Sequence, residues 1–281
     1  MITCHLMGGI GNQLFQIFAT ISYSIESKNR FTFLEQETLD CGSDTPRHTY
    51  WNTFFARLKP FLLYNLPKMD IIQEKNFTFT KLPIYKINQP NVMIYGYFQS
   101  YKYFQKNYSL ICQLINPNKM KLDVLSLIQL TESSFENHIS IHFRIGDYKK
   151  KQDYHPLMTY DYYERALIHI QNVKQNIPFQ ILFFCEDQDI EDVVSIINKL
   201  HSKFPLYQFT RGNKMLTDWQ QLLLMSCCHY NIIANSSFSW WAAYFNTWTD
   251  KIVCYPSAWF GLNVNNNTKD LCPPDWIKID V

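Results

Sequence analysis

An α/β fold with a parallel sheet is predicted by three features of this sequence. Short apolar runs of strand length alternate with longer stretches of helical period along most of the chain. The turns between them carry glycine, asparagine and serine, which suit tight strand-to-helix connections. With 281 residues, at roughly 150 per domain, the chain has room for two such units.

Taken in order, Ile2–Met7 reads as a buried strand, Gly8-Gly9-Ile10-Gly11 as a turn, and Asn12–Ser27 as a helix. In that helix Leu14, Phe15, Phe18 and Ile21 fall near helical spacing. Arg30–Leu34 reads as a second strand and Val92–Phe98 as another, while residues 40–90 show many aromatics and prolines but no clean period. Lys102–Leu130 has helical stretches broken at Asn116-Pro117, because the residue before proline disfavours the helical region. A boundary near residues 130–138 divides the chain into 1–135 and 136–281.

The second half repeats the alternation. Strands are predicted at Ile139–Phe143, Phe179–Cys185, Leu206–Phe209, Tyr230–Ala234 and, last, Ile252–Tyr255. Helices are predicted at Thr159–Val173, Ile190–Leu200, Thr217–Cys228 and Ser237–Phe245. Tyr162, Tyr163, Ala166, Leu167 and Ile170 share one face of the first of these, and Leu216, Trp219, Leu222, Leu223 and Ser226 one face of the third.

Composition narrows the function classes. Apolar residues make up 47% and charged residues 18% of the chain, enough for a packed core and too apolar for disorder. The net charge of +2, from 26 basic and 24 acidic residues, gives no field for coating a polyanion. No apolar run approaches the ~18–20 residues a membrane span needs, and MITCHLMGGIGNQ lacks the basic start of a secretory signal. A cytoplasmic location is expected. The eight cysteines, at positions 4, 41, 112, 185, 227, 228, 254 and 272, form no zinc-finger spacing. Free buried thiols in a reducing compartment are expected, and the sequons at Asn76, Asn107, Asn235 and Asn266 would then carry no glycan.

Three strand-to-helix junctions could carry chemistry. Gly8 to Gln13 offers a close-approach backbone and free helix N–H groups, which suit an anion or a sugar. It is not a dinucleotide fingerprint, since Leu14 stands where the third glycine belongs. In His142-Phe143-Arg144-Ile145-Gly146-Asp147-Tyr148, His142 and Arg144 point to one face of a strand end, and Arg144 can grip a phosphate. An Arg144–Asp147 ion pair that only shapes the turn is the plainer alternative. Asn235-Ser236-Ser237-Phe238-Ser239 places three hydroxyls at a helix start, more than one cap requires, and so points to anion binding. Asp218 opens a helix, either as a dipole-favoured acid or as an acceptor for a guanine edge. Asp187-Gln188-Asp189 could be a metal motif, but the helix that follows favours capping.

Four islands, GGIGNQLFQ, SIHFRIGDY, HPLMTYDYYERAL and DWQQLLLMSCCHYNIIANSSFSWWAAYF, together resemble glycosyltransferase family 11, the α-1,2-fucosyltransferases that use GDP-fucose. The resemblance is dense from 138 to about 260, clear at 7–18 and thin across 40–135. It implies a GT-B-like α/β architecture: two Rossmann-type domains with a cleft between them, residues 1–135 on the acceptor side and 136–281 holding the donor. It implies inverting, metal-independent transfer of L-fucose to a sugar hydroxyl, the 2-hydroxyl of galactose, with GDP-fucose and a glycan as its partners and no cofactor. On the matching positions Arg144 would bind the diphosphate, with His142 near the nucleotide and Asp218 reading guanine. Asn235, Ser236, Ser237, Phe238 and Ser239 would surround the phosphates, and Gly9, Gly11 and Asn12 would approach from the other domain.

One position departs from the family pattern, which commonly shows two adjacent arginines: Ile145 follows Arg144. A strand-end pair points opposite ways, so Arg144 can still reach phosphate. A base must deprotonate the acceptor, and Asp147, Asp153 and His155 are the candidates. A non-catalytic GDP-sugar or glycan-binding protein is the alternative that Ile145 keeps open, and a metal-dependent transferase using Asp187 and Asp189 is a third. The main reading requires Arg144 and the Ser236–Ser239 helix tip to meet.

Overall fold

Strand–helix alternation is realised twice along the chain. The structure, a computed structural model, describes residues 1–39, 46–84, 91–175 and 177–281. It divides into one unit of Met1–Asn118 with Asn266–Pro273 and a second of Lys119–Asn265 with Pro274–Val281.

In the first unit β1 (Ile2–Cys4) leads through the Gly8-Gly9 turn into α1 (Ile10–Glu26). Four short strands follow: β2 (Phe33–Leu34), β3 (Thr38–Leu39), β4 (Arg47–His48) and β5 (Leu62–Leu63). Then come β6 (Asp70–Gln73), β7 (Val92–Tyr95) and α2 (Tyr108–Ile115). A parallel sheet runs β1-β7-β6, with Cys4 and Ile72 both opposite Ile94. β2 pairs with β5, and the expected strand at 30–34 is reduced to β2 and one bridge from Phe31 to Ile2. α1 is buried on almost every side, so its polar residues bond inward: Thr20 and Ser24 donate to the carbonyls four residues back.

Residues 266–273 join this unit because Asp270 is held there three times. Its carboxylate takes the Phe79 amide at 3.1 Å and the Lys102 ammonium at 2.5 Å, and its carbonyl takes the Ser100 hydroxyl at 2.6 Å.

The units part inside α3 (Pro117–Leu127), which opens after Asn116 in the left-handed conformation (φ 64°). That lies upstream of the expected 135/136 boundary, because Lys121, Val124 and Leu125 are buried and the Lys121 ammonium donates to Phe245.

The second unit carries β8 (His138–His142), α4 (Tyr160–Val173), β9 (Gln180–Phe184), α5 (Ile190–Lys203) and β10 (Gln208–Arg211). It continues with α6 (Asp218–Cys227), β11 (Tyr230–Ile232), α7 (Ser237–Tyr244), β12 (Val253–Pro256) and β13 (Ile277–Ile279). Ile252–Tyr255 is therefore not the last strand: β13, too short to stand out in the sequence, adds a further edge beside β12.

All six strands are parallel, in the order β10-β9-β8-β11-β12-β13. Counted within the unit this is 3-2-1-4-5-6, the doubly wound order of a Rossmann-type domain. The order reverses between β8 and β11, and ligands of such sheets bind outside the carboxyl ends of the strands at that switch point.

Packing holds the switch point in register. Ile139 and Ile141 of β8 and Ile232 of β11 share a core cluster with the α4 face formed by Tyr162, Tyr163, Ala166, Leu167 and Ile170, the face expected from sequence. Each buried leucine or isoleucine of this set contributes roughly 1.5–3 kcal/mol. Asn231, fully buried in β11, donates to the Ser140 hydroxyl of β8 at 2.7 Å and accepts from Asn246 at 2.7 Å. Tyr162 and Tyr163 send their hydroxyls to the carbonyls of Ile233 and His142, fixing the first residues of both loops.

Among the described residues no helix is long and apolar enough to cross a membrane. Cys4, Cys112, Cys185, Cys227, Cys228, Cys254 and Cys272 are free thiols, while Cys41 lies outside the described residues.

Candidate active site

Strand alternation sorts the residues that leave β8. Phe143 and Ile145 turn into the core, at 1% and 8% exposure. Arg144 turns outward, with its side chain 19% exposed. Ile145 belongs to the core cluster with Met158, so an apolar side chain there fills space.

The guanidinium of Arg144 is held in an acidic fork. Nη2 donates to Asp147 Oδ1 at 2.5 Å and Nη1 to Glu186 Oε1. The plain turn-shaping ion pair with Asp147 therefore exists. Glu186, just beyond the end of β9, completes the fork. The Arg144 guanidinium also lies 5.0 Å from the centre of the Tyr148 ring. Burial alone would lower its pKa, but Tyr148, Asp147 and Glu186 together raise it, so it stays charged.

Gly146 makes the turn possible. Its φ is +32°, and its N–H donates to Asp189 Oδ2 at 2.7 Å. Asp189 is 2% exposed and makes no side-chain cap for α5. This corrects the capping expectation for Asp187-Gln188-Asp189: Asp189 pins the Arg144 loop, and Asp187 pairs with Arg211 at 2.5 Å. Among the described residues no group of three or more His, Cys, Asp or Glu could hold a metal ion.

Tyr148 connects this loop to the one after β11. Its hydroxyl donates to the Asn235 carbonyl at 3.3 Å, and His155 stacks on its ring at 4.6 Å. A second connection is the His142 ring, 5.3 Å from that of Phe238. Arg144 and the Ser236–Ser239 turn thus follow adjacent parallel strands and are joined through Tyr148 and His142.

The hydroxyls of this turn divide their work. Ser236 is the N-cap of α7 and accepts from Phe238 N at 3.3 Å, while Ser239, fully buried, bonds back to the Ser236 carbonyl. Ser237 and Phe238 are half-buried. The Asn235 amide nitrogen donates to the carbonyls of Pro156 and Trp259. It therefore ties three loops together.

α7 has no acid in its first turn, so the positive end of its dipole is uncompensated. At its other end the ammonium groups of Lys121 and Lys251 donate to the carbonyls of Ala243, Phe245 and Asn246. Burial lowers both pKa values, that of Lys251 to about 8.

His142 is 7% exposed, and its Nδ1 is buried with no hydrogen-bond partner. Burial, and secondarily Arg144, push its pKa down to about 3, so the ring is neutral. His155 is half-buried; burial lowers its pKa, Asp147 opposes this, and Lys151 and Arg144 lower it further. Of the three base candidates, Asp147 and His155 gather around Arg144 and Tyr148. Asp153 is exposed, and its carbonyl accepts from Asn263 N at 2.9 Å, where Gly261 packs too closely for any side chain.

Asp218 is the first residue of α6 and exposed, with Oδ1 accepting from Trp219 N at 2.7 Å. The cap itself is Thr217, in a capping box with Gln220.

In the first unit the glycine turn forms as expected. Gly8 has φ +75° and no room for a Cβ beside Asn12, whereas a Cβ at Gly9 would meet nothing within 4 Å. Gly9 caps α1 without a side-chain bond, and Gly11 is buried in its first turn. Gln99 donates to Asn12 Oδ1 at 2.9 Å, and Gln13 donates to the carbonyls of Gly8 and His48.

Sequence reading missed Glu186 and Gln99, and it named Asp189 and Tyr148 without these roles. Strand order could have found the place of Glu186 and Asp189. Residues that follow β9 must stand beside residues that follow β8, because the two strands pair, with Phe184 opposite His142.

Two curated relatives match along their whole length. One is the "Alpha-1,2-colitosyltransferase" of Escherichia coli, 27% identical over 100% of this chain and 99% of its own. The other is the "O-antigen biosynthesis glycosyltransferase WbnK" of Escherichia coli, 27% identical over 99% of this chain and 100% of its own. A solved structure of a mutant Arabidopsis thaliana FUT1 in complex with GDP aligns at 9% identity, covering 87% of this chain and 68% of that one, with a TM-score of 0.44. The family model for glycosyl transferase family 11 matches residues 3–280. With that match spanning both units, the chain belongs to glycosyl transferase family 11.

Proposed function

We propose that this glycosyltransferase moves a deoxyhexose, L-fucose, from its GDP donor to the 2-hydroxyl of a galactose residue in a glycan, with inversion and an α-1,2 linkage. The observation that carries the reading is the placement of Arg144 and the α7 N-terminus on the two loops that flank the β8/β11 switch point. A guanidinium and a helix tip side by side suit a diphosphate. Family membership and the relative named for α-1,2 transfer of colitose support a deoxyhexose donor and this linkage.

In such a transfer the acceptor oxygen bonds to the anomeric carbon as the bond from that carbon to the β-phosphate oxygen breaks. The electron pair of that bond leaves with GDP. Charge that grows on the β-phosphate meets Arg144 and the positive end of the α7 dipole, both fixed before the reaction. The acceptor proton passes to a base, for which His155 and Asp147 are placed beside Arg144. Asp187 and Asp189 are engaged by Arg211 and the Gly146 amide, which supports a leaving group neutralised by protein donors and not by a metal. We place the reaction in the cytoplasm, where nucleotide-sugar donors are made.

The test is to incubate the purified protein with GDP-fucose or GDP-colitose and a glycan array, with and without EDTA, and to read GDP release and product linkage. Fucosyl transfer to galactose in EDTA is the expected result. Transfer of colitose with none of fucose would replace the donor. Loss of activity in EDTA, restored by a divalent cation, would overturn the metal-independent mechanism.

A further inference from the structure

The acidic fork around Arg144 has a part that turn geometry does not require. Asp147 belongs to the same turn, three residues on. Glu186 comes from the neighbouring strand and reaches the other arm of the guanidinium. Its second carboxylate oxygen accepts from Gln188 Nε2 at 2.8 Å, and a Cβ at Gly146 would lie 3.3 Å from it. The side chain is 48% exposed, so solvent can take its place on Arg144, and so can a ligand.

We propose that Glu186 is a positioning residue that occupies Arg144 in place of the phosphates and sets how tightly the nucleoside diphosphate is held. This rests on the diphosphate-binding reading of Arg144 given above. A guanidinium presents its donors in a fixed fork, and carboxylate and phosphate compete for the same donor edges. When a diphosphate binds, Glu186 yields an N–H to it, and the ion pair lost with Arg144 weakens the net binding. When GDP leaves, Glu186 recovers its arm of Arg144 and the two-carboxylate fork is restored. The carboxylate weakens ground-state binding and favours product release, a step that limits turnover in many enzymes.

The experiment is calorimetry with GDP on wild type, Glu186→Gln, Glu186→Asp, Arg144→Ala and the double variant Glu186→Gln/Arg144→Ala, with steady-state kinetics on the active forms. Removing the charge in Glu186→Gln is expected to tighten GDP on the order of tenfold, strengthen product inhibition by GDP and lower donor KM without raising kcat. A gain of affinity cannot arise from damaged folding. Glu186→Asp keeps the charge and is expected within about threefold of wild type. The tightening should vanish in the double variant, because the coupling runs through Arg144. If Glu186→Gln binds GDP no tighter than wild type, or tightens it equally without Arg144, the inference falls while the diphosphate reading stands on the loss seen in Arg144→Ala. If wild type does not bind GDP at all, both fall together.

Discussion

The hydroxyl of Tyr148 donates to the backbone carbonyl of Asn235 at 3.3 Å, and through this contact the loop after β8 is tied to the loop after β11. The same ring carries Arg144 at 5.0 Å and His155 at 4.6 Å. Removing the hydroxyl alone, in Tyr148→Phe, keeps both ring contacts and removes one of the ties on the β11 loop. One neutral hydrogen bond contributes about 0.5–1.5 kcal/mol, so transfer should slow by roughly 3–10-fold. Tyr148→Ala also removes the platform for Arg144 and His155 and should cost clearly more. Steady-state GDP release on both variants checks the order; equal losses would show that the ring alone matters.

Arg144→Ala should reduce kcat/KM on the order of 10²–10³-fold, by comparison with loss of one preorganised oxyanion donor. The side chain leaves no hole in the core, since Phe143 and Ile145 do the packing on that segment. Its Tm should therefore stay within a few degrees of wild type. Activity within a factor of three of wild type would remove Arg144 from the site.

Ile145→Arg gives the adjacent arginine pair that the family commonly shows. Here it should not help. Ile145 is 8% exposed and packed in the core cluster, so a guanidinium must either be buried without a partner or push the loop outward. The expected cost is on the order of 3 kcal/mol or more, a fall in Tm of about 10 °C for a unit of this size. A thermal melt at neutral pH decides it.

Asp189→Ala removes the acceptor of the Gly146 N–H, which then stands part-buried and unpaired at a cost of about 1–3 kcal/mol. The turn that presents Arg144 should loosen, lowering kcat more than it raises donor KM. Asp189→Asn keeps an acceptor oxygen at the same place and should restore most of the loss. Indifference of kcat to both changes would make Asp189 a matter of stability alone.

Much of the second unit was legible in the sequence because β8, β9 and β11 are largely buried and helices α4 and α5 have a single buried stripe, as Tyr162, Tyr163, Ala166, Leu167 and Ile170 show. The loops of the site could be located for the same reason: they follow buried strands. Their contents were harder. The bonds from Asp189 to Gly146 and from Glu186 to Arg144 span 43 and 42 positions and depend on strand order, which no local pattern reveals. In the first unit β2 to β5 are two-residue strands, too short for any alternation to be read. The Asp270 latch joins segments 168 residues or more apart and left no local signal.

His142 supplies the pH test. Burial, with help from Arg144, lowers its pKa in the folded protein from 6.5 to about 3. Between those values the unfolded chain binds a proton at this residue and the folded chain does not. Stability from this group is therefore fully present above pH 6.5, declines as the pH falls below it, and is lost at about pH 3. His142→Phe keeps a ring against Phe238 and removes the titration. Melts of both proteins from pH 7 to pH 4 should show wild type losing stability faster, with the difference between the two curves growing steadily downward from pH 6.5. Parallel curves would mean that the imidazole takes up a proton as readily in the folded protein as in the unfolded chain, and the lowered pKa beside Arg144 would have to be abandoned.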